Sequence, residues 1–226
     1  MFTISNPKAF VHLSKLTIQN GYTLDEGGGI LNSGMLTINK STISGNSAGD
    51  YWGGGIYNET SLTVNNSTIS GNGLAYYGGG IFNWSTLAIS NSTVSGNTAT
   101  IGGGIFNIDG QIVLQNTIVA SSPRGGNCSG TITSLGYNLS SDNTCNFNGP
   151  GDMKNTETKL GKLNNNGGPT QTIRLLKGSP AIDAGNPNGC TDSNGKLLKT
   201  DQRGAPRPDK EDKTGCNMGA YERQSD

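Results

Sequence analysis

The chain has 226 residues, of which 36 are glycine and only 31% are hydrophobic, a composition too poor in apolar side chains for a conventional layered core. Lysine plus arginine and aspartate plus glutamate both total 16, so no net charge is available to attract nucleic acid or anionic lipid. The sequence contains no apolar run of 18 residues, and we therefore expect no membrane-spanning segment.

The first 21 residues, MFTISNPKAFVHLSKLTIQNG, contain no apolar stretch typical of a signal peptide. They end in KLTIQNG, which is a partial copy of a longer repeat that follows. That repeat is marked by GGGI, which begins at Gly27, Gly53, Gly78 and Gly102, at intervals of 26, 25 and 24 residues. A period of this length is typical of solenoid proteins and is too short for a propeller blade.

Each copy of the repeat contains three short runs of alternating apolar residues, such as GIYN, SLTV and STIS, separated by Gly, Asn and Ser. A period near two together with these residue types favours strands over helix. The sequence therefore predicts an all-β solenoid in which each copy forms one three-stranded turn of about 25 residues, called a rung below. Strands of neighbouring rungs should pair in register, about 4.8 Å apart.

In-register stacking predicts rows of equivalent residues along the molecule. The rows expected in the apolar interior are Ile30, Ile56, Ile81 and Ile105; Leu36, Leu62, Leu87 and Ile112; Ile38, Val64, Ile89 and Leu114; and Ile43, Ile69 and Val94. A ladder of buried amides, in which each side chain satisfies the next, is predicted at Asn32, Asn58, Asn83 and Asn107.

A stripe of bulky residues is predicted on the outer face, where Tyr57, Phe82 and Phe106 each follow an inward isoleucine. We expect the C-terminal segment to cover this stripe, because exposed apolar rows are adhesive. Aromatic residues on the neighbouring turns are better placed to bind a ligand. The complete set of candidate ligand-binding residues is Tyr51, Trp52, Tyr57, Tyr76, Tyr77, Phe82 and Trp84.

A second outer stripe carries hydroxyl groups and is formed by three pairs, Thr42 with Ser44, Thr68 with Ser70, and Thr93 with Ser95. A flat face rich in threonine is similar to ice-binding surfaces on other solenoids. Strand faces exposed to solvent are also commonly rich in Ser and Thr. Ice binding is therefore an alternative function for this stripe.

The composition changes near residue 150, because residues 152–226 carry 22 of the 32 charges and lack the repeat. We divide the chain into rungs over residues 1–150 and a loop-rich segment over residues 151–226 that caps one end or packs on one side. An arginine–carboxylate pair drawn from Asp183, Asp201, Arg203 and Arg207 would pin that segment.

The four cysteines fall into two local groups, Cys128 with Cys145 and Cys190 with Cys216. Neither group has the C-x-x-C spacing of a zinc site, so we predict two disulfides and no metal site. Unpaired thiols are the alternative. Disulfides would indicate an extracellular or cell-surface location.

The repeats offer little catalytic chemistry, because the only charged residues from Gly27 to Ala120 are Lys40, Asp50, Glu59 and Asp109. Glycoside hydrolysis needs two carboxyl groups about 5–10 Å apart, and no two of these acids occupy matching positions on adjacent rungs. We assign no catalytic residue and no cofactor. A polysaccharide lyase or another carbohydrate-active enzyme is the alternative.

The segment GGGIYN…LTVNNSTISGN resembles the repeat of bacterial secreted right-handed parallel β-helix proteins of the pectate-lyase-like superfold. The later segments LGKLNNNGGPTQTIRLLKGSPAIDAGN and CNMGAYE resemble the C-terminal region of choice-of-anchor Q domain proteins. This resemblance implies a right-handed parallel β-helix on a secreted protein. It also implies a chain truncated at its N-terminus, because such proteins begin with a signal peptide and further rungs.

Together these features predict a non-catalytic extracellular or cell-surface β-helix module that acts as a structural or adhesive element. Its expected partners are a glycan or another cell-surface polymer, contacted through the aromatic residues. Self-association through open ends of the β-helix is a further expectation, because unpaired strand edges favour it.

Overall fold

The computed structural model describes residues 1–210 and 215–224, and within these residues every regular element is a strand. Three parallel sheets of six strands run along the molecule, and each rung contributes one strand to each sheet. This arrangement confirms the predicted parallel β-solenoid with three strands per rung.

Sheet A follows the GGG sequences, sheet B contains the longest strands, and sheet C precedes the next GGG corner. Sheet A consists of β1 (Phe2–Ile4), β4 (Ile30–Asn32), β7 (Ile56–Asn58), β11 (Ile81–Asn83), β15 (Ile105–Asn107) and β18 (Cys128–Ser129). Sheet B consists of β2 (Phe10–Ser14), β5 (Met35–Asn39), β8 (Ser61–Asn65), β12 (Thr86–Ser90), β16 (Gln111–Gln115) and β19 (Thr133–Ser134). Sheet C consists of β3 (Thr17–Gln19), β6 (Thr42–Ser44), β9 (Thr68–Ser70), β13 (Thr93–Ser95), β17 (Ile118–Ala120) and β20 (Leu139–Ser140).

Two smaller sheets complete the fold. The parallel pair β10 (Ala75–Tyr77) and β14 (Ala99–Ile101) extends the corner between sheets C and A. The antiparallel pair β21 (Leu160–Asn164) and β22 (Thr172–Leu175) lies in the C-terminal segment.

The interior rows pair in the register that the repeat predicts. On sheet B, for example, Leu62 pairs with Leu36 on one side and Leu87 on the other. The isoleucines that follow the GGG sequences on sheet A are completely buried, and so are Val64 on sheet B and Ile69 on sheet C. The core is therefore narrow and continuous along the axis, which explains how so few apolar residues suffice.

Buried asparagine amides connect the rungs along one interior corner. The Nδ2 group of Asn32 donates to Oδ1 of Asn58 at 2.7 Å, Asn58 donates to Asn83 at 2.7 Å, and Asn83 donates to Asn107 at 2.9 Å. Asn58 Nδ2 also donates to the carbonyl oxygen of Thr86 at 3.0 Å. Each amide is thereby satisfied inside the apolar core, and the ladder requires a partner on the adjacent rung.

A second amide ladder, at Asn46, Asn72 and Asn97, was not identified in the sequence analysis. Asn46 Nδ2 donates to Asn72 Oδ1 at 2.9 Å, and Asn72 Nδ2 donates to Asn97 Oδ1 at 3.0 Å. The sequence could have indicated this ladder, because the tripeptide SGN, which ends in these asparagines, precedes the GGG sequences that begin at Gly53, Gly78 and Gly102.

The first glycine of each GGG sequence turns the chain from sheet C into sheet A. Gly53 has a φ of 69°, in the left-handed region that favours glycine. A Cβ atom at this position would lie 2.5 Å from the carbonyl oxygen of Ile56. The corner therefore excludes any larger residue.

One end of the core closes before the predicted boundary at residue 150. The last, partial rung consists of β18, β19 and β20, and a disulfide joins Cys128 to Cys145 beside it. Phe147 is 1% exposed and packs into the main apolar core. The loop that carries Cys145 and Phe147 covers this end of the core, and the following residues extend along the side.

The C-terminal segment packs on the outer face of sheet C and on its corner with sheet B. Thr42 Oγ1 donates to the carbonyl oxygen of Gln171 at 2.6 Å, and Thr68 Oγ1 donates to Oε1 of Gln202 at 2.7 Å. Further along the sheet, Thr93 Oγ1 accepts a hydrogen bond from the backbone N–H of Ala220 at 3.1 Å. The outward hydroxyl groups of sheet C thus anchor the segment rung by rung.

This packing corrects two predictions. The hydroxyl stripe is not a solvent-exposed face, because Thr42, Thr68 and Thr93 are completely buried beneath the C-terminal segment. The described part of the segment also does not form the expected cover over the aromatic stripe of sheet A, since it lies on sheet C. The hydroxyl groups of sheet C supply hydrogen-bond partners for its irregular backbone, which the phenylalanine rings of the stripe cannot do.

The second predicted disulfide is also confirmed, because Cys190 is bonded to Cys216. Two arginine–carboxylate pairs are present as well: Arg203 with Asp201 at 2.8 Å and Arg207 with Glu222 at 2.7 Å. The predicted segment 151–226 includes residues 211–214 and 225–226, which lie outside the described residues.

The Asn58→Ala substitution should lower the free energy of unfolding by about 2–3 kcal/mol, because it removes the donor to the buried Oδ1 of Asn83 and one acceptor of Asn32 Nδ2. Urea unfolding followed by circular dichroism measures this change. The exposed side chain of Asn188 offers a control, and Asn188→Ala should alter the free energy by less than about 0.5 kcal/mol. Equal stabilities of the two variants would contradict the role of the ladder.

The Gln202→Ala substitution should loosen the C-terminal segment while the rungs stay folded. It removes the acceptor of Thr68 and the donor to Thr42 and Thr170, at a cost of about 2 kcal/mol. Hydrogen exchange should accelerate at residues 170–172 and 200–206 and stay unchanged in sheet B. Gln171→Ala is the matched control, because Gln171 is exposed and contributes to this interface through its carbonyl oxygen. Unchanged exchange in Gln202→Ala would refute this anchoring.

Candidate functional site

Sheet A carries a continuous group of aromatic side chains on its outer face and at its adjoining corners. This aromatic surface consists of Trp52, Tyr57, Tyr76, Tyr77, Phe82, Trp84 and Phe106. Its central row exists because Tyr57, Phe82 and Phe106 pair with one another on adjacent strands β7, β11 and β15. The repeat that builds the core therefore also aligns these rings outside it.

The rings of the central row stack on one another. The centroids of Tyr57 and Phe82 are 5.0 Å apart with an interplanar angle of 17°, and those of Phe82 and Phe106 are 5.3 Å apart at 22°. Trp52, at the preceding corner, stacks on Phe82 at 5.3 Å and 11°. Phe82 is consequently only 1% exposed, although it points away from the core. Stacking with its neighbours replaces the cover that the sequence analysis expected from the C-terminal segment.

The rim of the aromatic surface is open to solvent. Trp84 directly follows strand β11 at the corner between sheets A and B, and it is 45% exposed. Its ring is tilted by 43° against Phe82 and by 41° against Trp52, so it does not continue the stack. On the opposite side, Tyr76 is 46% exposed and meets Tyr77 edge-on, with 4.7 Å between the centroids.

The seven candidate ligand-binding residues divide into two groups in the structure. Six of them belong to the aromatic surface. Tyr51 is 49% exposed and contributes its carbonyl oxygen, which accepts a hydrogen bond from the N–H of Tyr76 at 2.7 Å. Phe106, which the sequence placed on the stripe but not among the binding candidates, links Tyr77 to Phe82. Phe106 occupies the same position in the repeat as Tyr57 and Phe82, and this equivalence could have identified it as a candidate.

Carboxylates lie beside one end of the aromatic surface. Burial raises the pKa of Tyr57 to about 12, and the nearby carboxylates of Glu59 and Glu26 contribute to the increase. The Oγ group of Ser33 donates a hydrogen bond to the Glu59 carboxylate. Tyr57 therefore stays a neutral phenol over the whole physiological range of pH.

Within residues 1–210 and 215–224, no three His, Cys, Asp or Glu side chains are grouped so that they could hold a metal ion. The described residues also include no helix long and apolar enough to cross a membrane. What the aromatic surface offers is a set of rigid apolar ring surfaces with polar groups at the margin.

Comparison of the chain with protein-family models, curated proteins and solved structures finds no match. The class of the protein, a parallel β-solenoid with an aromatic outer surface, therefore follows from its own fold and geometry.

The pKa of Tyr57 predicts a distinct step in an alkaline titration. Its phenol should ionise near pH 12, and Tyr57→Phe should remove the step at this pH from the phenolate absorbance. Because the pKa is raised in the folded state, the associated stability is complete below about pH 10 and is lost as the pH rises through about 12. Persistence of the step near pH 12 in Tyr57→Phe would contradict the assignment.

Proposed function

We propose that the chain is a non-catalytic β-helix module of an extracellular or cell-surface protein, and that its aromatic surface binds a neutral glycan. The observation that carries this proposal is the group of seven contacting rings on sheet A with Trp84 and Tyr76 exposed at its rim. A large apolar patch on a protein surface commonly marks an interaction site.

The chemistry of the surface suits sugar rings better than it suits charged ligands. A pyranose presents flat patches of C–H groups that pack against aromatic rings, and its hydroxyl groups need hydrogen-bond partners at the margin. Trp84 provides an exposed ring, and the carboxylate of Glu59 and the hydroxyl of Ser33 lie beside Tyr57. Trp84 lies at the corner that follows strand β11. The corners that follow the two adjacent strands, β7 and β15, carry Glu59 and Asp109, whose negative charges would repel an anionic polymer.

The rigidity of the surface favours binding as well. Stacked neighbours hold Tyr57, Phe82 and Trp52, so these side chains have little conformational freedom left to lose when a ligand binds. A structural or adhesive role is consistent with such a surface.

Location outside the cytosol is part of the proposal. Its support is the pair of disulfides, Cys128–Cys145 and Cys190–Cys216, because such bonds persist mainly in oxidising compartments. The resemblance of the repeats to bacterial secreted pectate-lyase-like β-helix proteins, and of the C-terminal segment to choice-of-anchor Q proteins, points the same way. End-to-end self-association stays a prediction.

Binding should be measured on insoluble neutral polysaccharides, for example cellulose, chitin and a β-1,3-glucan. We expect retention on at least one of them, and Trp84→Ala and Tyr76→Ala should each weaken binding by about tenfold, equivalent to about 1.4 kcal/mol. Phe10→Ala is the matched control, because Phe10 is a highly exposed aromatic residue on sheet B, away from the aromatic surface. It should bind like the unchanged protein.

Two results would overturn the proposal. Retention on no neutral glycan, or retention that Trp84→Ala and Tyr76→Ala leave unaffected, would show that the aromatic surface has another role. Release of reducing ends or of unsaturated sugars from the same polysaccharides would instead identify a carbohydrate-active enzyme.

A further inference from the structure

The C-terminal segment contains a region in which all charges are positive. From Thr158 to Ile182 the sequence contains Lys159, Lys162, Arg174 and Lys177 and no aspartate or glutamate. For a chain with equal numbers of acidic and basic residues, this local excess needs an explanation.

The fold brings two of these cations to one cavity with two further arginines. The cavity has a volume of about 450 Å³ and is open to solvent. Three stretches of sequence line it: the end of strand β22 with the turn after it, Arg203, and residues near the end of the described chain. The lining residues are Arg174, Leu175, Leu176, Lys177, Arg203, Tyr221, Arg223 and Gln224. Four cations from three separate stretches of sequence therefore line one cavity.

Arg203 is a fixed part of the cavity wall. Its Nε donates to Asp201 Oδ2 at 2.9 Å, and its two Nη atoms donate to the carbonyl oxygens of Asn166 and Glu222 at 3.1 and 2.5 Å. The guanidinium carbon also lies 3.7 Å from the centroid of the Tyr221 ring. These contacts hold the positive charge in place rather than leaving it on a mobile side chain.

Arg174 is also positioned by its surroundings. Of the four residues of strand β22, Thr172, Ile173 and Leu175 are buried and Arg174 is exposed. A Cβ atom added at Gly161, on the neighbouring strand β21, would lie 2.9 Å from Arg174 Cγ. The absence of a side chain at Gly161 therefore leaves room for the stem of Arg174 to lie across the strand pair.

The nearby carboxylates are engaged by other groups. Asp201 pairs with Arg203, and the buried Glu222 pairs with Arg207, which lies outside the cavity. Among residues 1–210 and 215–224, neither Arg174 nor Lys177 forms an ion pair. Arg174 and Lys177 therefore add positive potential at the mouth of the cavity.

We propose that this cavity binds a tetrahedral oxyanion, a phosphate or sulfate group, with Arg174 and Lys177 as its main contacts. A phosphate ester carries a charge of about −1.5 to −2 at neutral pH, which matches the pair of cations Arg174 and Lys177 better than the charge of a single carboxylate does. The planar guanidinium of Arg174 can donate two parallel hydrogen bonds to such a group, and Lys177 adds a point charge. The site is separate from the aromatic surface and does not rest on its proposed function.

Isothermal titration calorimetry with inorganic phosphate, dextran sulfate and uncharged dextran tests the site on the whole chain. The two anions should bind and compete with each other for the cavity, dextran should not compete with them, and added salt should weaken the binding of the anions. Arg174→Gln combined with Lys177→Gln should lower the affinity for both anions by at least about tenfold. If dextran sulfate binds far more tightly than phosphate, the natural ligand is an oxyanion carried on a polymer. If the two affinities are similar, the natural ligand is a free anion.

Lys8→Gln combined with Lys154→Gln is the control, because it removes the same charge at exposed positions elsewhere. It should leave the affinities unchanged. Equal losses in the two double variants would show a general charge effect, and absence of anion binding in the unchanged protein would refute the site. Trp84→Ala should bind dextran sulfate normally, so failure of this proposal and failure of glycan binding by the aromatic surface can be told apart.

Discussion

The structure depends on buried amides that find partners only on adjacent rungs. Asn58 lies in an apolar interior, where an unpaired amide would cost more than its hydrogen bonds normally contribute. Its donors and acceptor are satisfied by Asn32, Asn83 and Thr86, all on neighbouring rungs. Register is thereby fixed, because a shift of one residue would separate the amides and turn the apolar residues of each strand outward.

The aromatic surface follows from the same constraint. Once Asn58 and Asn83 are aligned, the residues directly before them, Tyr57 and Phe82, must also be neighbours about one strand spacing apart. At that distance flat rings stack, whereas branched aliphatic side chains would leave apolar edges in contact with water. A row of aromatic residues can therefore lie outside a solenoid without a covering segment, and its rim stays available for a ligand.

The sequence predicted the rungs well because each residue's environment there repeats at a fixed interval. The partners of Leu62 and Asn58 could be read from the next copy of the repeat. Thr68 shows where this reasoning ends, because its hydroxyl group bonds to Gln202, 134 residues away in a segment without a repeat. The sequence STIS is compatible both with a strand face exposed to water and with one covered by another segment. The burial of the hydroxyl stripe, the plug at Phe147 and the open aromatic surface were all beyond prediction for this reason.

Attachment of the C-terminal segment to sheet C separates two kinds of surface chemistry. The rungs are almost uncharged because a repeated charge at one position would stack like charges one strand spacing apart. Charged groups must therefore lie in the non-repetitive segment, where Asp201 and Glu222 can be paired individually with Arg203 and Arg207. That segment can concentrate cations such as Arg174 and Lys177 in one cavity, which a stacked repeat could not do. An aromatic surface on sheet A and a separate basic cavity in the C-terminal segment are thus consequences of joining a repeat to a non-repeating cover.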